Sequence, residues 1–216
     1  MATGLKLHLG CGSTVVPGWE NLDKSWNVYL ARAPRLRRTL ARLRVLTDEQ
    51  ANARFPRGVV RADTRRGLDY PDGSAQYVYA SHLIEHMSRW QGLALLRECH
   101  RVLTPGGVIR LATPDLALAI GEYTRGEAPY GLTPGDSFMQ QLETHRDVEG
   151  TLAQRLIRKF VFAAHQWIYD ADSLSLLLQE AGFLASTVRE YREGLVPDLE
   201  LLEHRPGSLF IESVRL

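Results

Sequence analysis

The chain has 216 residues and a mass of 24.3 kDa, enough for one well-buried core and short for two independent ones. Hydrophobic residues make up 44% and charged residues 24%, a globular balance that excludes disordered and fibrous classes. A net charge of +1 and a pI near 7.9 exclude a global field toward nucleic acid or an anionic bilayer, and no apolar run reaches the ~20 residues that span a membrane or resembles a signal peptide.

The expectation is therefore a single domain over 1–216, cytoplasmic, with neither nucleic-acid nor membrane partners. The two cysteines, Cys11 and Cys99, show neither disulfide-framework nor zinc-ligand spacing, which agrees with a reducing compartment.

In chain order, LKLHL at Leu5 to Leu9 alternates and runs into Gly10, the pattern of a short strand closed by a glycine turn. Trp19 to Asp23, Val59 to Asp63 and Gln76 to Ser81 are further short runs that end on polar residues, as buried parallel strands do. Between them, about 24–58 is an insertion whose LARAPRLRRTLARLRVL reads as a basic amphipathic helix; a solvated face accounts for its arginines as simply as an anionic partner does.

Ser88 is the N-cap of a helix with Leu93, Leu96, Cys99, His100 and Leu103 at helical spacing, stopped by Pro105 and Gly106. Val108 to Ala112 reads as a strand and Asp115 to Tyr123 as a helix. From about 124 to 160 the periodicity weakens and glycines and prolines mark loops, with a helix expected near Leu152 to Phe162; such a segment suits a cover over an acceptor site. Ala171 to Glu180 is a helix capped by Gly182, and Phe183 to Tyr191 and Ser208 to Val214 are closing strands that can pair antiparallel. The alternation predicts a doubly wound α/β fold with a mainly parallel sheet and helices on both faces, with ligands at the strands' carboxyl ends.

Chemistry gathers at those strand ends. Gly10 and Gly12 let a bulky ligand approach the backbone after the first strand. A dinucleotide motif would need a third glycine where Val15 stands, which disfavours NAD. Asp23, ending the second strand, suits the two hydroxyls of a ribose, and Asp63, ending the third, suits an adenine amino group or else caps a turn.

LHLGCGSTVVPGWENLD, RADTRRGLDYPDGSAQYVYASHLIEHM and LLRECHRVLTPGGVIRLATPD together resemble the class I S-adenosylmethionine-dependent methyltransferases over most of the chain. With HQWIYDADSLSLLLQEAGF near the C-terminus, the chain is similar more narrowly to short methyltransferases of bacterial glycan and polysaccharide gene neighbourhoods, and looks somewhat like the O-methyltransferases of methylmannose polysaccharide assembly. The resemblance implies a seven-stranded sheet and S-adenosylmethionine as cofactor, with Gly10, Cys11 and Gly12 at its methionine portion, Asp23 on the ribose, Asp63 and Thr64 at adenine, and Ser81 and His82 bordering it. Two departures stand out: no helix precedes the first strand, and Gly10 to Asp23 is short for a crossover helix.

A sulfonium methyl is already electrophilic, so the enzyme's main task is positioning. A sugar hydroxyl also gains from a base, for which histidine is suited. His145, in the expected cover beside Glu143 and Asp147, ranks first as base, and His165 second. Glu85, His86, Asp115, Trp167 and Tyr169 are expected at the acceptor, the two aromatics as a platform for a sugar face.

No decisive metal-ligand set is visible, although His145, Glu143 and Asp147 leave a magnesium site open. The expected activity is methyl transfer to a hydroxyl of a sugar, oligosaccharide or other small hydroxylated metabolite. The alternatives are N- or C-methylation of a small molecule, or a non-catalytic cofactor-binding interaction module. The expected partner is the saccharide or small-molecule acceptor, with a homodimer open.

Overall fold

The computed structural model describes residues 4–24, 58–131, 133–144 and 164–216, with five isolated positions between 33 and 42. One seven-stranded sheet organises them, in the order β3-β2-β1-β4-β5-β7-β6. Its strands are β1 (Leu5–Leu9), β2 (Glu20–Asp23), β3 (Val59–Arg61), β4 (Ala75–Ser81), β5 (Leu103–Pro114), β6 (Ser186–Arg189) and β7 (Ser208–Val214). β1 to β5 are mutually parallel where they pair, and β7 runs antiparallel to both β5 and β6.

The expected doubly wound α/β architecture is what the chain adopts. β1 passes to β2 through the turns of residues 10–19 and no helix, as the short spacing required. On the other side of β1 lies β4, so the β1/β4 junction is where the chain order reverses and where open parallel sheets bind ligands.

The helices are α1 (Arg89–Val102), α2 (Leu116–Thr124), α3 (Pro134–Leu142), α4 (Ala171–Glu180) and the short α5 (Leu199–Leu202). Ser88 caps α1 in a capping box with Gln91, and Asp170 caps α4 with Ser173, so two orphan N–H groups of each first turn are satisfied locally. Leu93, Leu96, Leu174, Leu177 and Leu178 of α1 and α4 join Leu7, Leu9, Val78 and Ile109 in one core on one face of the sheet. A second cluster, with Trp19, Tyr79, Val196, Leu199 and Leu202, closes the opposite face.

Two expectations change. Pro134–Leu142 is a helix where loops were read: Thr133 accepts from the Asp136 N–H, and Pro134 at the first turn starts the helix instead of breaking it. The strand read as Val59 to Asp63 stops at Arg61, because Asp63 turns into a cap over the 3-10 turn Thr64–Arg66. The helix expected near 152–162 lies outside the described residues. Of the basic insertion, Arg35, Arg38 and Arg42 are described, helical and exposed. Among the described residues no helix is long and apolar enough to cross a membrane.

His8 marks where this core is sensitive to acid. It is buried in β1 with Nδ1 3.2 Å from Asn21 Oδ1. Burial, opposed by the Asn21 contact and helped by His204, lowers its pKa to about 4 from 6.5. Between those values the unfolded chain binds the proton that the folded chain refuses, so stability rises with pH across that window and is complete above it. Unfolding free energy should fall by about 3 kcal/mol from pH 6.5 to 4 on this account. Urea titrations of the wild type and His8→Gln check it: equal slopes against pH in both would remove His8 as the cause.

Candidate active site

At the tip of β1 the chain turns through Gly10 and Gly12, both at positive φ (66° and 54°). Among the described residues a Cβ at Gly12 would meet nothing within 4 Å, so open space faces this backbone, whereas one at Gly10 would press on Leu83. Gly12 N–H donates to Asp23 Oδ2 at 2.9 Å, which draws the carboxylate at the tip of β2 against the same turn. An exposed backbone turn with an acid beside it fits the cofactor that the sequence implies: room for the ligand, then an acceptor for its hydroxyls.

Cys11 is buried between the two glycines, and burial followed by the charge of Asp23 pushes its thiol up to about 12, which makes it a packed residue and no nucleophile. Asp63 is adjacent through the β2–β3 pairing. Its carboxylate is engaged by the Arg65 side chain at 2.8 and 2.7 Å and accepts from Arg65 N–H, the guanidinium holding its pKa down to about 2. Thr64, buried, opens the turn that follows.

Beyond the tips of β4 and β5 lies a cavity of about 570 Å³, within the range of small-molecule sites. Its polar wall includes His82, Asp115, Glu143, His165, His204 and Ser208. Ser81 ends β4, and His82 follows it at φ 49° with its N–H on Ala112 O at 2.8 Å. A non-glycine residue in the left-handed region is uncommon and points to a local task.

His82 Nε2 is 2.9 Å from Ser208 Oγ, while Nδ1 is 3.1 Å from Glu85 Oε1, at an angle that misses hydrogen-bond geometry but within ion-pair reach. Glu85 is fully buried. In the tautomer with the N–H on Nδ1, on the side of that carboxylate, the Nε2 lone pair faces a hydroxyl in the cavity wall.

The other expected acceptor residues divide. Asp115 lines the cavity and also caps α2, accepting from Ala117 and Leu118 N–H at 2.9 and 3.2 Å. His165 lines it too, its Nδ1 2.9 Å from Leu142 O. Glu143 ends α3 at positive φ, with its carboxylate 4.0 Å from His165 Nε2.

Glu85, His86, Trp167 and Tyr169, expected at the acceptor, are not on the wall of this cavity. Tyr169 bridges to Asp115 and is swallowed by the core, where its hydroxyl comes within 3.1 Å of the position a Cβ would take on Gly92. Burial raises its pKa to about 12. Trp167 is half-exposed, and Ile168 between them meets the cavity instead. Burying the Tyr169 ring in the core outweighs presenting it beside Trp167 as a platform. His145 and Asp147 lie outside the described residues.

The sequence reading missed Ser208 and His204 as site residues. A signal was present: β7 is antiparallel, so its first residue, paired with Pro114, must lie at the carboxyl edge of the parallel strands.

Comparison with known proteins bears on the family and the fold. The sequence profile described as a methyltransferase domain matches residues 21–186. A Mycolicibacterium smegmatis protein named a probable S-adenosylmethionine-dependent methyltransferase is 38% identical over 69 residues, 32% of this chain and 26% of its own. The match thus spans about a quarter of that relative's length.

Among solved structures, a Thermotoga maritima protein described as an S-adenosylmethionine-dependent methyltransferase, possible histamine N-methyltransferase, superposes with a TM-score of 0.52 at 14% identity, over 100% of this chain and 84% of its own. A Nostoc punctiforme protein, provisionally described as an O-methyltransferase, gives 0.51 at 12% identity over 98% and 52%. At such identities the likeness is one of fold.

Proposed function

The chain belongs to the methyltransferase-domain family, with S-adenosylmethionine as cofactor, and from that premise we propose that it transfers the methyl group to a hydroxyl of a sugar or another small hydroxylated molecule. One observation carries the reading: a histidine nitrogen faces a hydroxyl oxygen at 2.9 Å in the wall of a polar cavity at the carboxyl ends of β4 and β5. When bound, the cofactor supplies a methyl on a sulfonium sulfur that leaves as a neutral thioether.

The chain's own residues supply the rest. Asp23 and the Gly10 to Gly12 turn hold the ribose and methionine portions, and Asp63 and Thr64 border adenine beside the Arg65 pair. His82 orients the acceptor hydroxyl as it orients Ser208, and takes its proton on Nε2. Glu85 keeps the ring turned and stabilises the charge it gains. Asp115, His204 and Ser208 offer hydrogen bonds to further hydroxyls, which suits a saccharide better than a flat apolar acceptor. His165 remains on the wall as a contact, and His82 takes the base role from it, since its nitrogen already meets a hydroxyl.

Methyl-labelled cofactor offered to a panel of saccharides, polyols and amines tests the reading. Label in a stable ether of a saccharide or polyol is expected; label confined to the amines would overturn the hydroxyl acceptor. In the same series Asp23→Ala should weaken cofactor binding about 10- to 100-fold by calorimetry, as loss of a hydrogen bond to a charged group does. An unchanged Kd would remove Asp23 from the ribose.

A further inference from the structure

At the cavity wall and behind it, Glu85, His86 and His165 each offer one ligand atom, and these atoms all lie within 4.8 Å of one another. They come from two stretches of chain held together by backbone bonds: Gln166 and Trp167 N–H both donate to Glu85 O, at 2.7 and 3.2 Å, and the Gln166 side-chain amide donates to His86 O at 2.9 Å. The rings of His86 and His165 lie 4.8 Å apart.

His165 Nδ1 faces a backbone carbonyl, Leu142 O, which places the N–H on Nδ1 and the lone pair on Nε2. A backbone carbonyl on the other ring nitrogen is what orients histidines that bind metals.

The second observation is Glu85 itself. It is fully buried, and among the described residues its Oε1 accepts no hydrogen bond and Thr113 Oγ1 reaches its Oε2 only at 3.5 Å. His82 at 3.1 Å is its nearest charge partner. A buried carboxylate so poorly satisfied is costly, and a cation between it and two neutral imidazoles would relieve that cost.

We propose that Glu85, His86 and His165 form a binding site for a divalent transition-metal ion of the zinc class, which clamps the turn after β4 to the chain segment around His165 at the cavity wall. Two imidazoles with one carboxylate are a zinc, iron, cobalt or nickel donor set. Magnesium takes oxygen ligands and keeps its water, so it fits this set poorly. Bond lengths near 2.1 Å require tetrahedral ligand atoms about 3.4 Å apart, so binding draws the three groups together by about an ångström. Three protein donors leave a position for water or another oxygen ligand.

The test uses the tag-free full chain, stripped with a chelator and titrated with cobalt(II), whose visible band reports coordination by imidazole and carboxylate. One equivalent should bind, zinc should displace it, and the thermal midpoint should rise. His165→Ala and His86→Asn should each weaken cobalt binding about 100-fold or more, while His100→Ala, near the C-terminal end of α1 against Phe183, leaves it intact. Circular dichroism and cofactor binding on each variant separate a lost site from a lost fold, and they keep a failure here distinct from a failure of the methyltransferase reading. No cobalt binding at millimolar concentration, full binding by the folded His165→Ala protein, or equal competition by magnesium would each overturn the site.

Discussion

Turnover of His82→Asn should fall about 100- to 10,000-fold with saturating cofactor and acceptor, the range that a positioned general base contributes. Asparagine tolerates the left-handed backbone that His82 adopts at φ 49°, so the turn after β4 is preserved while the basic nitrogen is lost. His82→Gly is the companion, because it relieves that backbone and removes the ring entirely.

The cofactor Kd of both variants should stay within a few-fold of the wild type. This contrast separates two roles that strand-end position alone leaves equal. A residue that borders the cofactor raises its Kd; a residue that takes the acceptor's proton lowers kcat. A normal kcat with a weakened cofactor would return His82 to the cofactor side and leave the hydroxyl chemistry without its base.

Arg110→Met should cost about 3–5 kcal/mol of unfolding free energy, the loss expected when one partner of a buried ion cluster is removed. Arg110 stands in β5 with no exposure, its Nε 2.5 Å from Glu203 and one terminal nitrogen 3.1 Å from Glu212. It also donates to Glu193 O and Glu190 O, at 2.8 and 3.0 Å. The substitution leaves two buried carboxylates facing each other, of which Arg189 at the rim reaches only Glu212, at 3.1 Å.

Arg110→Lys should recover little, since a compact ammonium cannot serve four acceptors in one plane. Urea unfolding measures both variants, and a loss below 1 kcal/mol would mean that the cluster is satisfied from elsewhere. The result bears on function, because Glu203 immediately precedes the chain that carries His204 and Ser208 into the cavity.

Local signals were enough for the framework. Ser88 and Gln91 announce α1 because a capping box satisfies the first turn from within three residues of sequence. Gly10 and Gly12 announce the turn after β1 because few other residues take positive φ there. Short apolar runs between glycines give the strands, and their alternation with helices gives the parallel sheet, from which the strand-end location of Asp23 follows. α3 was missed because its helical signal, Thr133 with Pro134, reads as a loop unless proline is recognised as a first-turn residue.

What the sequence alone determined is the class of fold and the strand-end positions of Gly10, Gly12 and Asp23, all set by interactions within a few residues. Tertiary structure decided which polar residues meet. His82 and Ser208 are 126 positions apart, and Glu85 and His165 share a cluster only because separate stretches are zipped by backbone bonds. Tyr169 went to the core, and not to the cavity wall, for the same reason: burial is settled by the whole packed body, and no local pattern encodes which side of a segment that body will cover.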